Sequence, residues 1–405
     1  MITYIIRRFL QSVAFIVFMW LLVYTVLVMW MPDGPYARYE DARAAGFNPQ
    51  EPSRGGFTEP GAPTMPDLVR LYKLDKPWPA NFFLWLFDPN DISKQDPNKI
   101  SSTLRKGIDV DLFGLRLQGS GALTGNFGIS ERVLRGREVG EIVSERWGNT
   151  LSLVGVSLLV GALLAVPLGI IAAMTYRSVF DHMITFFSFT GFSIPPYAFG
   201  VILLVGLAVV PYHLHTVDGH TWLPYLPPGD VFSMDRRGDA INYIYHLALP
   251  VATLALPQIA YLSRHVRSTV LEILRLEYIR TAWAKGLAGW RVITRHAFRN
   301  ALIPLITALG LMVPLLISGA ILVETVFAYP GLGQLFFRAV GGCLAEPQTY
   351  ERLCGGTPGA LKPMDYPMTL ALTLLMVVAV AFSNMLADIL YTYADPRINY
   401  SQKKA

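Results

Sequence analysis

Six stretches of this chain, about 9–31, 150–175, 183–211, 246–263, 301–323 and 367–387, contain no Asp, Glu, Lys or Arg. A helix needs roughly 20 mainly apolar residues to cross a hydrocarbon core. Inside lipid every backbone N–H and C=O must be satisfied within the segment, which makes helices of such stretches. The reading is an all-α polytopic membrane protein with six transmembrane helices, the 246–263 segment being the shortest. Composition agrees: 53% of residues are apolar and 16% charged, against about 25% charged in soluble domains. The first stretch is longer than the apolar part of a signal peptide. "MWMPDGPYAR" after it offers no small-x-small cleavage site, so it reads as a retained span.

Lys and Arg set the orientation. With the N-terminus in the cytoplasm, the inside segments 1–8, 176–182, 264–300 and 388–405 carry 14 Lys/Arg against 5 acids. The outside segments 32–149, 212–245 and 324–366 carry 20 against 24. The chain divides accordingly. Residues 1–31 hold the first span, 32–149 an extracytoplasmic insert, and 150–323 the core of spans two to five with a basic loop at 264–300. Residues 324–366 form a second outside loop, and 367–405 the last span and tail.

The 32–149 insert is too long for a plain loop and reads as a small packed cap of mixed and irregular structure. A Pro/Gly-rich stretch opens it. "DLVRLYKLDKPWPANFFLWLF" follows, an amphipathic element broken at Pro77 and Pro79, whose Phe82, Phe83, Trp85 and Phe87 argue against disorder. "IDVDLFGLRLQ" alternates as a short strand pair would, and "ERVLRGREVGEIVSERWGNT" leads as a polar helix into the second span. Both cysteines, Cys343 and Cys354, fall in the 324–366 loop. An oxidising exterior permits a disulfide between them, the alternative being two free thiols. No Cys-x-x-Cys or Cys/His cluster suggests a metal, and no phosphate-binding G-x-x-x-x-G-K-[ST] loop occurs, so the chain does not hydrolyse ATP itself. Seven prolines in four spans (Pro167; Pro195 and Pro196; Pro250 and Pro257; Pro304 and Pro314) favour a path-lining or moving bundle over a passive anchor.

The loop 264–300 packs eight Lys/Arg against two acids. It reads as two short helices. Leu271, Leu274, Tyr278 and Ala282 make an apolar stripe on the first. "KGLAG" ends it, with Gly286 free for a left-handed turn. On the second, Val292, Ile293, His296 and Ala297 share one face, and Arg291, Arg295 and Arg299 another. Such a basic hairpin can lie on anionic lipid, fix topology, or dock into a partner through its small-residue turn.

"EYIRTAWAKGLAGWRVITRHAFRNALIP", residues 277–304, resembles the EAA loop of ABC importer permeases, and closely that of the dipeptide/oligopeptide permease family. The pattern is matched at Glu277, Tyr278, Arg280, Thr281, Ala282, Ala284, Lys285, Gly286, Leu287, His296, Ala297, Arg299, Asn300, Ala301 and Pro304. It departs at Trp283, where the family often has Arg, and at Phe298, where Leu is usual. "MITYIIRRFLQ", "GNFGISERVLRGREVGEIVSERWGNTLSL", "VETVFAYPGLGQLFFRAV" and "LADILYTYADPRINY" are also similar to the family's segments. Residues about 33–66 and 90–120 and the cysteine loop are longer than usual and inherit no role.

The resemblance implies a type I ABC importer permease fold and half of a translocation pore for dipeptides, oligopeptides or similar solutes. It implies a second homologous permease subunit, two cytoplasmic ABC ATPase subunits and an extracytoplasmic solute-binding protein as partners, in the lipid bilayer of a prokaryotic inner membrane. It implies no nucleic acid and no cofactor. Glu277, Tyr278, Arg280, Thr281, Ala282, Lys285, Gly286, Leu287, His296 and Arg299 would contact the ATPase, the turn around Ala282 and Gly286 sitting in its groove. An ion-coupled carrier or channel is the alternative. It would need an intramembrane ionisable group, and the six spans hold only His246, at an edge.

Overall fold

The computed structural model describes residues 2–31, 34–44, 65–87, 110–112, 115–117, 122, 127–130, 132–134, 137–216, 226–227, 229–231, 239–341 and 364–394. The cysteine pair and much of the insert lie outside them, and with them the disulfide expectation. The elements are α1 (Ile2–Tyr24, extended by a wide π turn over Thr25–Trp30), α2 (Pro35–Ala44), α3 (Met65–Tyr72), α4 (Ala80–Phe87), β1 (Val110–Leu112) and β2 (Leu115–Leu117). Next come α5 (Val139–Met174), α6 (Val179–Ser193), α7 (Pro196–Leu204, then a π turn Val205–Val209), α8 (Val210–Thr216) and α9 (Ala240–Ile273). The chain continues with α10 (Glu277–Ala284), α11 (Gly289–Arg291, then a π turn Val292–Ala297), α12 (Phe298–Val326), α13 (Leu332–Ala339) and α14 (Tyr366–Ala394).

Among the described residues six helices are long and apolar enough to cross a membrane: Ile5–Ala44, Val139–Met174, Pro196–His215, Ala240–Ile273, Asn300–Val326 and Tyr366–Leu390. The count agrees with the sequence reading. The third span does not. Residues 183–211 were expected as one helix, and the chain instead breaks at Ile194 (φ −85°, ψ 124°) and Pro195 (φ −56°, ψ 135°). The cause is local. Pro195 pushes Ile194 out of the helical region, and Pro196, lacking an N–H to satisfy, is suited to open a new helix. The 34-residue α9, by contrast, outruns its expected 246–263 segment at both ends.

The described residues fall into two compact units. The first comprises 1–13, 149–334 and 379–405. One of its cores joins Val266, Val270 and Ile273 of α9 to Ile279, Ala282, Val292, Ala297, Ala301 and Leu305, with Ala165 and Ala173 from α5. Another joins Leu153 and Val154 of α5 and Leu247, Leu249 and Leu254 of α9 to Leu316, Ala320, Val323, Phe327 and Tyr329. Helices α5 and α9 touch closely because Gly169 faces Ser263 and Val266: a methyl on Gly169 would lie 2.6 Å from the Ser263 carbonyl oxygen and 2.7 Å from Val266 Cβ.

The second unit comprises 14–148 and 335–378. Trp20, Tyr24, Tyr72, Phe82, Trp85, Leu86, Leu370 and Leu374 form its core. Tyr24 donates to the Tyr72 carbonyl at 2.6 Å and meets the Phe82 ring edge-on at 5.5 Å, so the buried hydroxyl is satisfied where its ring packs. Of the four aromatics taken as a packing signal, Phe82 and Trp85 are buried while Phe83 and Phe87 are exposed. The strand pair is present, Val110 opposite Leu117 and Leu112 opposite Leu115. Buried Asp365 caps α14 through Met368 N (3.3 Å) and accepts from Ser130 Oγ (2.6 Å) and the Arg132 and Val133 amides (3.0 Å each).

Candidate functional site

The basic loop folds as a hairpin on the first unit. It is not the pair of short helices the periodicity suggested. α9 ends at Ile273, and the backbone turns through Leu274–Leu276 before α10 starts, its N-cap Leu276 offering no side-chain cap. The expected stripe Leu271–Leu274–Tyr278–Ala282 is therefore divided between two helices. Tyr278 is exposed, and Ile279 takes the fully buried position. Glu277 sits in the first turn of α10, where an acid favours the helix dipole. It pairs with Arg280 at 2.9 Å. Both side chains are largely in solvent, so the pair contributes only about 0–1 kcal/mol.

Gly286 has φ +74°, with open space where a Cβ would stand. Its N–H donates to the Trp283 carbonyl at 2.9 Å, and Lys285 N to Thr281 O at 3.1 Å. The left-handed turn expected at this glycine is thus present, at an exposed tip. Across the turn the Trp283 ring lies against Gly289, where a Cβ would come within 3.1 Å of it. Trp290 beside it is 64% exposed. The second arm is one continuous helical run into α12, widened to i→i+5 bonding through Val292–Ala297. That π turn breaks the i, i+4 ladder on which the Arg291, Arg295 and Arg299 stripe was read. Val292, Ile293 and Ala297 are buried as expected.

The hairpin has two faces. Ala282, and Leu287 in part, pack inward on α9 and α12, so Ala282 serves this chain's own core and is not a free surface at the turn. Glu277, Tyr278, Arg280, Thr281, Lys285 and Gly286 are exposed. Asn300 Nδ2 donates to Tyr278 OH at 2.6 Å, bracing α10 against α12. For His296 and Arg299 the backbone lies in the helical run, and their side chains fall outside the described residues.

Two polar constructions in the first unit, one beside the hairpin and one at the opposite end of α12, escaped the sequence reading. In the first, Arg267 of α9 grips Asp181 of α6 with two prongs, Nε to Oδ1 and Nη2 to Oδ2 at 2.8 Å. Arg177 N adds a 3.0 Å bond to Oδ2, and Ser178 caps α6 by accepting from Asp181 N. The Asp181 side chain is 4% exposed. The Arg267 guanidinium donating to it holds its carboxyl below the usual carboxylate range, against the opposing effect of burial. Arg264 lies over the Phe189 ring, 4.5 Å from its centroid. Part of the apparent surplus of positive charge is therefore consumed within the chain. The available signal was Asp181 itself, the one acid in the 176–182 segment.

The second construction centres on Glu324, fully buried near the end of α12. It accepts from Thr150 Oγ1 (2.7 Å), Gly333 N (2.7 Å) and Gln334 N (3.0 Å), the amides belonging to the first turn of α13. Thr150 Oγ1 in turn accepts from Leu332 N at 2.8 Å, and Asn149 donates to Pro330 O at 2.9 Å. Alongside, the hydroxyls of Ser152 and Tyr243 meet at 2.6 Å, and Tyr329 OH lies 3.3 Å from Tyr243 OH. Burial pushes the Tyr329 phenol up.

These elements define a class: a helical multi-span membrane protein that displays, among the described residues, a basic, aromatic-tipped hairpin. The profile described as "Binding-protein-dependent transport system inner membrane component" matches residues 165–400, more than half of the chain. The chain belongs to that family. It is 38% identical over 276 residues to the oligopeptide transport system permease protein AppB of Bacillus subtilis, covering 68% of this chain and 77% of that one. It is 33% identical over 293 residues to the dipeptide transport system permease protein DppB of Escherichia coli K12, covering 70% and 79%. With the di/tripeptide permease DppB of Pseudomonas aeruginosa the figures are 34% over 316 residues, 76% and 87%. The inward-facing methionine transporter MetNI superposes with a TM-score of 0.42 at 15% identity, over 63% of this chain and 97% of that one. This chain is accordingly a permease subunit of an ABC importer in the inner membrane.

Proposed function

We propose that this subunit forms half of a pore for dipeptides, oligopeptides or similar solutes, and that its 277–304 hairpin receives the stroke of a cytoplasmic ATPase. The relatives' peptide specificity supports the solute class. The charge asymmetry supports placing both termini and the hairpin in the cytoplasm, with 32–149 facing the binding protein. A homologous permease completes the pore, and two ATPases bind beneath it. One observation carries the coupling role. The hairpin's inner face is built into the α9–α12 core, while its outer face exposes Tyr278 and its tip offers Trp283, Lys285, Gly286 and Trp290 to a partner. A push at the tip therefore reaches the spans without first deforming a loose loop.

The test is Gly286→Asp. At φ +74° a side chain strains the backbone by about 1–2 kcal/mol, and the added carboxylate loses water at the contact. The variant is expected to insert normally, co-purify poorly with its ATPases and lose ATP-driven uptake. A lipid-binding hairpin gives the reverse. In that case an Arg291/Arg295/Arg299→Gln triple variant loses function and Gly286→Asp assembles and transports normally, which overturns the coupling assignment.

A further inference from the structure

α6 runs antiparallel along α9, and their contacts form a seam. Starting nearest the hairpin, Asp181 holds Arg267. Ser188 Oγ and Ser263 Oγ then lie 3.2 Å apart, and Gly191 faces Ala260, where an added Cβ would sit 3.3 Å from the alanine methyl. The Leu256 side chain packs there too, 3.6 Å from that same added Cβ, so the upper seam is a close apolar contact without charge. The charged contacts of the seam are the ion pair and Arg264 over Phe189. The same last turns of α9, through Val266, Val270 and Ile273, carry Ile279 and Ala282 of α10. At its far end α6 stops at the Ile194–Pro195 break, where the second half of the third span begins.

We propose that Asp181 and Arg267 are positioning residues for transport: they make α6 move as one body with α9, so that displacement of the hairpin is delivered to the break within the third span. This rests on the coupling role given above. The geometry suits the task. A guanidinium fork on a carboxylate fixes orientation as well as distance, which a single lysine contact does not. Asp181 stands in the first turn of α6, with Ser178 capping that turn and Arg177 N on the carboxylate. A pull on the carboxylate therefore acts on the helix end and not on a free loop. Without the clamp, α9 and the hairpin would still move together, and α6 would lag.

The experiment uses the assembled transporter in proteoliposomes with its binding protein, reading ATP hydrolysis and tri-alanine uptake in parallel. Arg267→Lys keeps the charge and loses the fork. Asp181→Asn keeps the shape and an acceptor for Arg177 N. Both are expected to assemble and to hydrolyse ATP within about twofold of the native rate, while uptake per ATP falls about tenfold, within the range of inter-site coupling. In the Asp181→Asn background, a Ser188→Cys/Ser263→Cys disulfide refastens the seam. Oxidation should then restore most of the lost uptake per ATP, and reduction should abolish it again. In the native background the same disulfide should leave uptake unchanged. Native uptake per ATP in both single variants, with only lower thermal stability, makes the pair a mere staple and overturns the proposal. A native-background disulfide that blocks uptake does so too, because the helices would have to separate. Should Asp181→Asn fail to accumulate, Arg267→Lys and the native-background disulfide decide alone. An unmodified transporter showing no ATP-driven uptake at all refutes the function proposed above, which is a distinct result.

Discussion

Glu324 offers the sharpest quantitative test of the packing described here. A fully buried carboxylate is costly unless charge-assisted bonds offset its desolvation, and Thr150, Gly333 and Gln334 supply them. Hydrogen bonds to charged groups contribute about 1.5–3 kcal/mol each, and not additively. Glu324→Ala removes the acceptor, leaves two helix-start amides without it and opens a cavity, so a loss of about 3–5 kcal/mol is expected. Glu324→Gln should be far milder, at about 1 kcal/mol. Its amide oxygen can face the Gly333 and Gln334 N–H groups while its NH₂ faces Thr150 Oγ1.

The neighbouring glycines make the test specific. A Cβ on Gly331 would run into the Glu324 carboxylate and nothing else among its nearest atoms, whereas one on Gly333 would also meet the Ile321 backbone, with Cα at 2.5 Å. Gly331→Ala should therefore be harmful alone and nearly harmless in the Glu324→Ala background, where the methyl enters the vacated space. Gly333→Ala should be harmful in both. Apparent unfolding midpoints at a fixed heating rate in detergent, read for each single and double variant, supply the coupling term. Gly331→Ala costing as much beside Glu324→Ala as it does alone would refute the reasoning. So would a Glu324→Ala midpoint indistinguishable from the native one.

Two further outcomes are expected. Gly169→Ala should lower the apparent midpoint by the equivalent of about 1–3 kcal/mol, because the methyl meets a carbonyl oxygen and a branched side chain on the facing helix; thermal scans beside a Gly155→Ala control, where nothing lies within 4 Å, would check it. Because the Asp181 carboxyl is held low in the folded chain, its contribution is present above the unfolded value of about 3.9 and lost as pH falls below that toward the folded value. Stability between pH 5 and 8 should thus be equally pH-independent, at this site, in the native protein and in Asp181→Asn, and their difference should shrink only below about pH 4. A difference that instead varies between pH 5 and 8 would contradict the assigned ion pair.

What the sequence made legible and what it hid divide along one physical line. The membrane imposes a length and an absence of charge on each crossing, so six spans could be counted from composition alone, and a left-handed Gly286 could be expected because few other residues tolerate that backbone. Local chemistry also announced the strand pair at 110–117 and the break between α3 and α4. The Pro195–Pro196 pair carried the same kind of signal for the broken third span. A single span over 183–211 follows from the apolar run that continues across it, and an apolar run reports burial, not helical continuity. The turn at Leu274–Leu276 carried no proline or glycine at all. It exists because Ile279 and Ala282 must reach the α9–α12 core, which is a demand of tertiary packing. The two polar clasps were hidden for a stronger reason: Asp181 meets Arg267 across 86 residues and Glu324 meets Thr150 across 174, and no periodicity joins positions that far apart. Charge counting hid the pair as well, since Arg267 is one of eight basic residues in the 264–300 loop and its partner lies in another segment. In a chain of nearly uncharged spans, each ionisable group at a helix end is costly to leave unpaired, and that cost is a reason to look for a distant partner before assigning such a group to the surface.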